Sequence, residues 1–300
     1  MKLTIAYITS RKEPKIEWFF DSLAKQVTDD DIKVEIIDAL SGRNGRPLNF
    51  NGHGKIQYEV SLPKPTIWQG EYRITKEDWW AKSNAMNTAI CLCTTEFIAF
   101  VDDRCVLTPI WLQCVKDAIA GNYAVCGSYV KCAHMKVENG EIIDSGEFLG
   151  EDDRHQVGYP IPTKDWYGGS CALPLEWCLE VNGFPEACDS LGSEDSMFGM
   201  LLRNNNFPMK YDSRMKIIED RTPSEIGGAL KRADKNPHLG RQAKSWMLVR
   251  MFHDKKTSQN EFDIRNVRDR VLLNGESLSG IPPVGSHFDF YDGQPISEME

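Results

Sequence analysis

Two adjacent carboxylates, Asp102 and Asp103, directly follow a run of five apolar residues, 97–101 (FIAFV). A continuous apolar run of this length predicts a strand that is buried on both of its faces. Carboxylates at the end of a buried strand repel each other unless a cation or strong hydrogen-bond donors neutralise them. A divalent cation that carries a phosphate would do so. The alternative is a turn of solvated acids in front of Thr108 and Pro109.

A second acidic pair, Glu194 and Asp195, lies in a segment that reads as a loop opening into a helix over 191–202. Ser193 is the predicted N-cap, which puts both acids in the first helical turn. There the helix dipole favours an ionised carboxylate. An ionised carboxylate within reach of a hydroxyl can take its proton as a general base. The other interpretation is that both acids only complement the dipole.

Trp166 and Tyr167 stand directly before two glycines, Gly168 and Gly169. The glycines permit close approach of the backbone to a ligand. The two rings could stack on the face of a sugar or a nucleobase, or they could pack in the core, and the sequence leaves both interpretations open.

The elements that would position these groups follow from the hydrophobic pattern. It predicts strands over 3–8, 32–40, 97–101, 123–131 and 210–220, and helices over 16–26, 75–90, 109–120 and 175–181. The first strand, helix and second strand form a parallel unit by default. Ligands of such sheets lie at the carboxyl ends of the strands. Thr9, Ser10 and Asp38 therefore become candidate ligand-binding groups, because they follow the first two strands.

Three further segments carry weaker signals. Asn84 and Asn87 share a face of the predicted helix over 75–90, where two amides bind a ligand or cap local backbone. Asn139 and Gly140 predict a hairpin turn. The acidic segment 147–162 reads as a mobile loop.

Composition excludes several classes of protein. The chain has 300 residues, 41% hydrophobic and 26% charged, as is ordinary for a soluble globular protein. No apolar run approaches the ~20 residues of a membrane span, and the apolar start lacks a signal-peptide cleavage site. The nine cysteines match no zinc spacing, which predicts reduced, mostly buried thiols and a cytoplasmic location.

Charge is unevenly spread along the chain. The net charge of −9 argues against a protein that simply coats nucleic acid. Residues 203–256 nevertheless carry 13 Lys and Arg against 6 Asp and Glu. This segment could face an anionic substrate, or it could be a solvated helical surface.

The order of these features resembles the GT-A glycosyltransferases, in particular family 2 and the related galactosyl- and N-acetylgalactosaminyltransferases. The motifs that carry the resemblance span roughly 3–220: the first strand with its Thr-bearing loop, Leu23 to Gln26, Asp38, Lys82 to Ile90, the strand 97–103, Gly168-Gly169-Ser170, Asn182 to Glu186 and Glu194-Asp195. The specific part of the resemblance is the order in which the motifs follow each other.

The resemblance implies an α/β fold of GT-A type, with a mixed, mostly parallel sheet flanked by helices. It implies a catalytic domain over 1–222. Over 223–300 we expect a basic helical extension, helical to about 251, and an irregular C-terminal tail, poorly packed from 255, on the same domain. The implied activity is that of a hexosyltransferase that moves a sugar from a nucleoside-diphosphate-sugar, with a UDP-sugar as the expected donor.

The resemblance also assigns the donor site. The donor-binding residues are expected to be Thr9, Ser10, Arg11, Asp38, Lys82, Asn84, Asp102, Asp103 and Arg104. Asp102 and Asp103 stand in the place of the Asp-x-Asp motif that holds Mn²⁺ or Mg²⁺ on the diphosphate. Arg104 occupies the third position of that motif, so either Asp103 alone ligates the metal or Arg104 itself meets the phosphate. Asp220 stands where relatives have a histidine ligand, so Asp103 and Asp220 are the expected metal ligands.

For the acceptor side, the resemblance makes Asp195 the base and Glu194 the group that holds an acceptor hydroxyl. The acceptor-binding residues are expected to be Trp166, Tyr167, Gly168, Gly169 and Glu194. One base and one displacement imply inversion at the anomeric carbon. A glycan, a protein side chain and a modified nucleic-acid base all remain open as acceptors.

Two alternatives to a glycosyltransferase are open. A nucleotidyltransferase can combine a similar sheet with paired aspartates, but the loop 9–12 after the first strand contains no glycine to cradle a phosphate. A catalytically silent nucleotide-sugar-binding protein is the second alternative, which Arg104 in the metal motif favours.

Overall fold

A computed structural model describes residues 2–11, 13–28, 31–39, 54, 56–64, 81–152, 157–159, 166–189, 194–222, 253–258, 260 and 262–278. The strands are β1 (Lys2–Thr9), β2 (Asp31–Asp38), β3 (Ile56–Ser61), β4 (Phe97–Asp102), β5 (Cys105–Leu107), β6 (Ala124–Ala133), β7 (Lys136–Glu138), β8 (Glu141–Asp144), β9 (Glu147–Glu151), β10 (Val157–Tyr159), β11 (Ser170–Pro174) and β12 (Met209–Asp220). The helices are α1 (Ile16–Ala24), α2 (Lys82–Leu92), α3 (Trp111–Gly121), α4 (Leu175–Glu180), α5 (Glu194–Asn204) and α6 (Ile264–Leu272), with a 3-10 turn at Glu186–Cys188.

Ten of these strands form one mixed sheet in the order β10-β12-β6-β11-β4-β1-β2-β3, to which β5 adds beside β12 and β9 beside β6. The neighbours β4, β1, β2 and β3 are all parallel. The predicted parallel unit of β1, α1 and β2 is therefore confirmed. On its other side β4 meets β11, which runs antiparallel to both β4 and β6. The sheet is parallel in the half that ends in β3 and mixed in the other half.

Helices cover both faces of the sheet, so the α/β class is confirmed. One core contains residues of α2, α4, α5 and α6, and the other contains residues of α1 and α3. β4 separates the two cores, since Ile98 and Phe100 point into the first, whereas Phe97, Ala99 and Val101 point into the second. The predicted strand with two buried faces is thus confirmed.

The carboxyl ends of three strands meet at one edge of the sheet. Thr9 at the end of β1 pairs in register with Asp38 at the end of β2. Ile8 pairs with Asp102 at the end of β4. This register brings side chains together that are separated by more than ninety positions in the sequence.

The expectation of a loop over 147–162 is wrong for two stretches. β9 pairs antiparallel with β6, and β10 pairs antiparallel with β12. In β9 these backbone pairs hold the strand while Phe148 stays 63% exposed and Leu149 49% exposed. Because no face of β9 needs to be apolar, its sequence does not show the alternation of apolar and polar residues that identifies a half-buried strand. The turn at Asn139 and Gly140 is confirmed, with positive φ angles of 49° and 71° between β7 and β8.

The expectation of a poorly packed tail from residue 255 is wrong for the described part of that segment. The side chain of Asp263 accepts hydrogen bonds from the backbone N–H groups of Arg265 and Asn266 and so caps α6. Ile264 and Val267 are buried against the core of α2. Only two residues of α6 are buried. The other residues of α6 are largely polar, which is why the sequence predicted a poorly packed segment. The predicted helix to about residue 251 lies outside the described residues, as do residues 75–80 of the helix predicted over 75–90.

All nine cysteines are free and buried, which confirms the expected thiol state. In the part of the chain that the structure describes, no helix is both long and apolar enough to cross a membrane.

Candidate active site

Lys82, the first residue of α2, links two acidic segments. Its Nζ lies 3.0 Å from Oδ1 of Asp102 and 3.6 Å from Oε1 of Glu194. Burial alone would lower the pKa of Lys82, but the charges of Asp102, Asp195 and Glu194 outweigh it and raise this pKa well above its ordinary value. Lys82 is therefore an ammonium ion that joins the end of β4 to the start of α5.

Asp195 has a strongly perturbed titration. Burial raises the pKa of Asp195 to about 7, against the opposing charge of Lys82. Its Oδ1 atom is buried and has no hydrogen-bond partner among the residues that the structure describes. Burial therefore acts against the expected stabilisation of an ionised Asp195 by the helix N-terminus. A carboxyl group with a pKa near neutral pH is well matched to general-base catalysis.

Gly168 and Gly169 lie against the two acids of the site. A Cβ atom at Gly168 would overlap Oδ1 of Asp195, and one at Gly169 would overlap Oδ2 of Asp102. The backbone N–H of Asp102 also donates to the carbonyl of Gly169 at 3.0 Å. The sequence predicted close approach of this backbone to a ligand, and in the structure the groups that lie against the two glycines are these carboxyl groups.

The predicted donor residues of β1 and β2 gather at the same edge of the sheet. The hydroxyl of Thr9 donates to Oδ2 of Asp103 at 2.6 Å. Nε of Arg11 lies 3.8 Å from the same oxygen. Asp38 is fully buried beside Thr9, and Ser10 is 5% exposed. The structure therefore brings Thr9 and Arg11 to Asp103 and places Asp38 beside Thr9 at the same edge of the sheet.

The surroundings of Asp103 shift the pKa of its carboxyl group. Burial raises the pKa of Asp103 to about 6, although Arg11 and Thr9 act in the opposite direction. The nearby charges of Asp102 and Glu219 add to the rise. A cation placed among these three acids would therefore be stabilised by them.

Arg104 and Asp220 form a buried ion pair. Nη2 of Arg104 donates to Oδ2 of Asp220 at 2.7 Å, and the two side chains are 6% and 4% exposed. The other oxygen of Asp220 accepts hydrogen bonds from the backbone N–H and the hydroxyl of Thr222. This arrangement differs from the expected metal ligand at Asp220 and from the expected phosphate contact at Arg104. Both side chains are engaged with the protein itself.

The side chain of Asn84 does not face the donor edge. Its Oδ1 atom accepts from Nζ of Lys64 at 2.8 Å, and its Nδ2 donates to the carbonyl of Lys64 at 2.9 Å. Asn87 likewise bonds the backbone of Phe184, at 2.9 Å and 2.7 Å. Both amides therefore bond to groups that are distant in the sequence, so neither caps local backbone through these contacts, and the expected donor contact of Asn84 is replaced by its contacts to Lys64.

The two aromatic residues before the glycines, which the sequence predicted either to stack on a sugar or nucleobase or to pack in the core, differ in their surroundings. Trp166 is 3% exposed and packs with Phe198 in the core, with ring centroids 6.4 Å apart. Its expected acceptor contact is therefore replaced by core packing. Tyr167 is half-buried, and its hydroxyl donates to the carboxylate of Glu219. Its ring also lies 4.9 Å from that of Tyr129.

The sequence reasoning missed Glu219 and Arg221 as members of the site. Glu219 is 2% exposed, and its Oε2 lies 2.5 Å from Nη2 of Arg221. Burial and then the charge of Asp102 raise the pKa of Glu219. A register shift in β12 between Tyr211 and Lys216 changes which alternate residues face each side of the sheet. The choice between Glu219 and Asp220 therefore could not be made from the sequence.

Among the described residues, no group of three His, Cys, Asp or Glu side chains converges as a ready-made metal site. Mg²⁺, however, is commonly held by one or two carboxylates together with the phosphates of the substrate. Asp103 and Asp102, two hard oxygen ligands at the donor edge, fit such a partial site.

The sequence profile of Glycosyl transferase family 2 matches residues 4–169, from β1 to the Gly168–Gly169 turn. No curated protein matches the sequence. The chain is similar in structure to S. aureus TarS 1–349 in complex with UDP, with 16% sequence identity and a TM-score of 0.52. The match covers 73% of this chain and 60% of that chain. A second structure of S. aureus TarS 1–349 gives the same four values.

A third similar structure is the mannosyltransferase PcManGT from Pyrobaculum calidifontis in complex with GDP-Man and Mn²⁺, with 16% identity and a TM-score of 0.43 over 72% of this chain and 56% of that one. The likeness to TarS confirms the expected GT-A arrangement of the sheet and helices. Since the family profile covers more than half of the sequence and includes the strand ends of the site, the chain belongs to glycosyl transferase family 2.

Proposed function

We propose that this chain is a glycosyltransferase that moves a sugar from a nucleoside-diphosphate-sugar to an acceptor hydroxyl. The observation that carries the proposal is the position of Lys82 between Asp102 and Glu194. It places the acid at the end of β4 next to the acids that open α5. A donor bound at the strand ends would then have its reacting carbon near a general base.

The donor would bind at the edge formed by β1, β2 and β4. Thr9, Ser10, Arg11 and Asp38 supply hydroxyl, guanidinium and carboxylate groups for a base and a ribose. UDP is the first nucleotide to test, because a protein with the same fold, TarS 1–349, forms a complex with it. A UDP-sugar is therefore the expected donor.

The proposed chemistry is a single displacement at the anomeric carbon. Asp195 takes the proton of the acceptor hydroxyl while the acceptor oxygen bonds to the anomeric carbon and the bond to the diphosphate oxygen breaks. Glu194 orients the acceptor hydroxyl, and the Lys82 ammonium limits repulsion among the acids. One displacement inverts the configuration at that carbon.

A divalent cation, Mn²⁺ or Mg²⁺, suits the donor edge. When bound, it would stabilise the charge that develops on the departing diphosphate. We assign its protein contacts to Asp103, with Asp102 beside it, because their oxygens lie at the strand end in a strongly acidic environment. Asp220 is left out of this assignment because Arg104 and Thr222 occupy its oxygens.

The charge of one segment bears on the choice of acceptor. The excess of Lys and Arg over 203–256 makes an anionic acceptor worth testing. A positively charged segment attracts an anionic molecule over some distance.

Thermal unfolding in the presence of nucleoside-diphosphate-sugars tests the proposal. Each donor is added with Mn²⁺, with Mg²⁺ or with EDTA, and donor consumption is followed in parallel. A ligand that binds the native state raises the unfolding temperature. We expect one donor to stabilise the chain in the presence of metal and to be consumed. A donor that stabilises the chain but is never consumed would indicate a silent binding protein. No stabilisation by any donor would overturn the proposal.

A further inference from the structure

The N-terminus of α2, which carries Lys82, is held by a carboxyl group from a distant part of the chain. Oδ1 of Asp189 accepts from the backbone N–H of Ser83 at 2.6 Å, and Oδ2 accepts from that of Asn84 at 3.1 Å. The first N–H groups of a helix have no partner within the helix. Ala81, which precedes the helix, provides no side-chain cap. Asp189 therefore replaces a local cap across 105 residues of sequence.

Asp189 is itself held in place from two sides. It is 2% exposed and ends the 3-10 turn that begins with Glu186. Oε1 of Glu186 lies 2.6 Å from Nζ of Lys64, and the same ammonium donates to Oδ1 of Asn84 at 2.8 Å. The turn and the first turn of α2 are thus joined a second time through one buried lysine.

The C-terminal segment supports the same turn. The side-chain amide of Asn260 donates to the carbonyls of Asn182 and Phe184, each at 2.9 Å. Its oxygen accepts from the backbone N–H of Glu186 at 2.9 Å. The turn that carries Asp189 therefore lies between α2 and this segment and has little freedom to move.

We propose that Asp189 is a positioning residue for Lys82: its carboxyl oxygens fix the first turn of α2 so that the Lys82 ammonium stays between Asp102 and Glu194. The proposal rests on the proposed function for its kinetic consequences. The position of Lys82 itself can be measured without any substrate.

The substrate-free measurement is the rate of acetylation of Lys82 by an acetylating reagent, read by mass spectrometry. Lys136, which is 68% exposed, serves as the internal reference. An ammonium that is held against two carboxylates is a poor nucleophile. We expect Asp189→Ala to raise the relative acetylation rate of Lys82 by about fivefold or more, and Asp189→Asn, which keeps one acceptor oxygen, to raise it by less.

A matched variant separates positioning from a general loss of stability. Ile264→Ala removes buried atoms where α6 packs on α2 and leaves the cap untouched. We expect Ile264→Ala to lower the unfolding temperature. The acetylation rate of Lys82 should stay within about twofold of the rate in the chain without substitutions, because Asp189 still caps α2. Equal acetylation rates in Asp189→Ala and the unmodified chain would overturn the proposal.

Donor turnover provides the second readout. We expect Asp189→Ala to reduce turnover by about tenfold or more when Lys82 is present, and by less than about twofold in a Lys82→Met background. Equal losses in both backgrounds would show that Asp189 acts independently of Lys82 and would overturn the proposal. If the unmodified chain consumes no donor, the proposed function fails, and the acetylation rates still decide the role of Asp189.

Discussion

The ammonium of Lys82 lies 3.0 Å from the carboxylate of Asp102, although the two residues belong to different elements, α2 and β4. Glu194 and Asp195 add two further acids to the surroundings of the same ammonium. A single cation therefore limits the repulsion among three carboxyl groups. Its removal should raise the pKa of Asp102 and of Asp195, because the charge of Lys82 lowers both.

Replacement of Lys82 by methionine should raise the pKa of Asp195, because the charge of Lys82 opposes the rise caused by burial. The pH at which donor turnover reaches half of its plateau should move upward by about one unit or more. Turnover at pH 7 should fall by about fivefold or more, since a rise of one unit from a pKa of about 7 lowers the ionised fraction of Asp195 from about one half to about one tenth. Lys25→Met, which removes an exposed lysine paired with Glu141, is the control and should leave the profile unchanged. An unchanged profile in Lys82→Met would contradict the coupling.

Asp195→Asn should remove the general base while the donor edge stays intact. We expect kcat to fall by about 10²- to 10⁴-fold, which is the usual contribution of a positioned base. The donor Kd, measured by calorimetry, should change by less than about threefold, since the proposed donor contacts lie at the ends of β1, β2 and β4, whereas Asp195 lies on α5. The exposed acid Glu176 provides the control substitution Glu176→Gln. A large loss of donor affinity in Asp195→Asn would remove this residue from the role of base.

The dependence of turnover on pH should show an acidic limb near pH 7, because the pKa of Asp195 is raised to about 7. The ionised form accepts the proton, so the rate should rise as the pH rises through this value. One unit below the pKa the rate should be about tenfold under its plateau.

The pKa of Asp103 is raised to about 6, so this residue could contribute a limb of its own. Thr9→Val distinguishes the two groups, since Thr9 donates to Asp103. Loss of that hydrogen bond should move a limb that belongs to Asp103 upward and leave one that belongs to Asp195 in place. A limb at the ordinary pKa of an aspartate, near 4, would contradict the prediction for Asp195.

The parts of the site that the sequence predicted are those that depend on local pattern. The apolar run before Asp102 predicted a buried strand. The alternation of strand and helix predicted that Thr9 and Asp38 lie at the same edge of the sheet, as they do. The acidic start of α5 was also predicted. Each of these features is encoded within a few neighbouring residues.

The parts that the sequence did not predict depend on partners that are far away along the chain. Arg104 pairs with Asp220 across 116 residues, and no local pattern shows this. Asn84 has the spacing of a ligand-binding amide, but its partner is Lys64. The pKa of Asp195 depends on burial by the tertiary structure, whereas the sequence showed only its position in a helix.

Gly169→Ala should disturb the site, because a Cβ atom at this position would overlap Oδ2 of Asp102 and the hydroxyl of Tyr167. The Asp102 carboxylate would have to move away from Lys82. We expect donor turnover to fall by about 10²-fold, as is typical of a misplacement of about 1 Å. Gly54→Ala is the matched control, because no atom of the residues that the structure describes lies within 4 Å of the added Cβ. Full activity in Gly169→Ala would show that the turn tolerates a side chain.

Asp220→Asn should destabilise the fold rather than weaken metal binding. The substitution leaves the buried guanidinium of Arg104 without its counter-charge, which costs about 3–5 kcal/mol for a buried pair. Unfolding in urea should show this loss in the free energy of unfolding. Lys136→Met breaks the exposed pair with Asp144 and should leave the free energy of unfolding nearly unchanged, because exposed ion pairs contribute little to stability.

The Mn²⁺ dependence of donor affinity separates the two roles that Asp220 could have. We expect Asp220→Asn, measured well below its unfolding temperature, to keep that dependence, because Asp103 lies at the donor edge and the oxygens of Asp220 bond Arg104 and Thr222. Asp103→Ala should weaken donor binding in the presence of Mn²⁺ by about tenfold or more, since a carboxylate contact to the metal is removed. A variant Asp220→Asn with normal stability and lost Mn²⁺ dependence would instead make Asp220 a metal ligand, and the ion pair with Arg104 would then have to open when the donor binds.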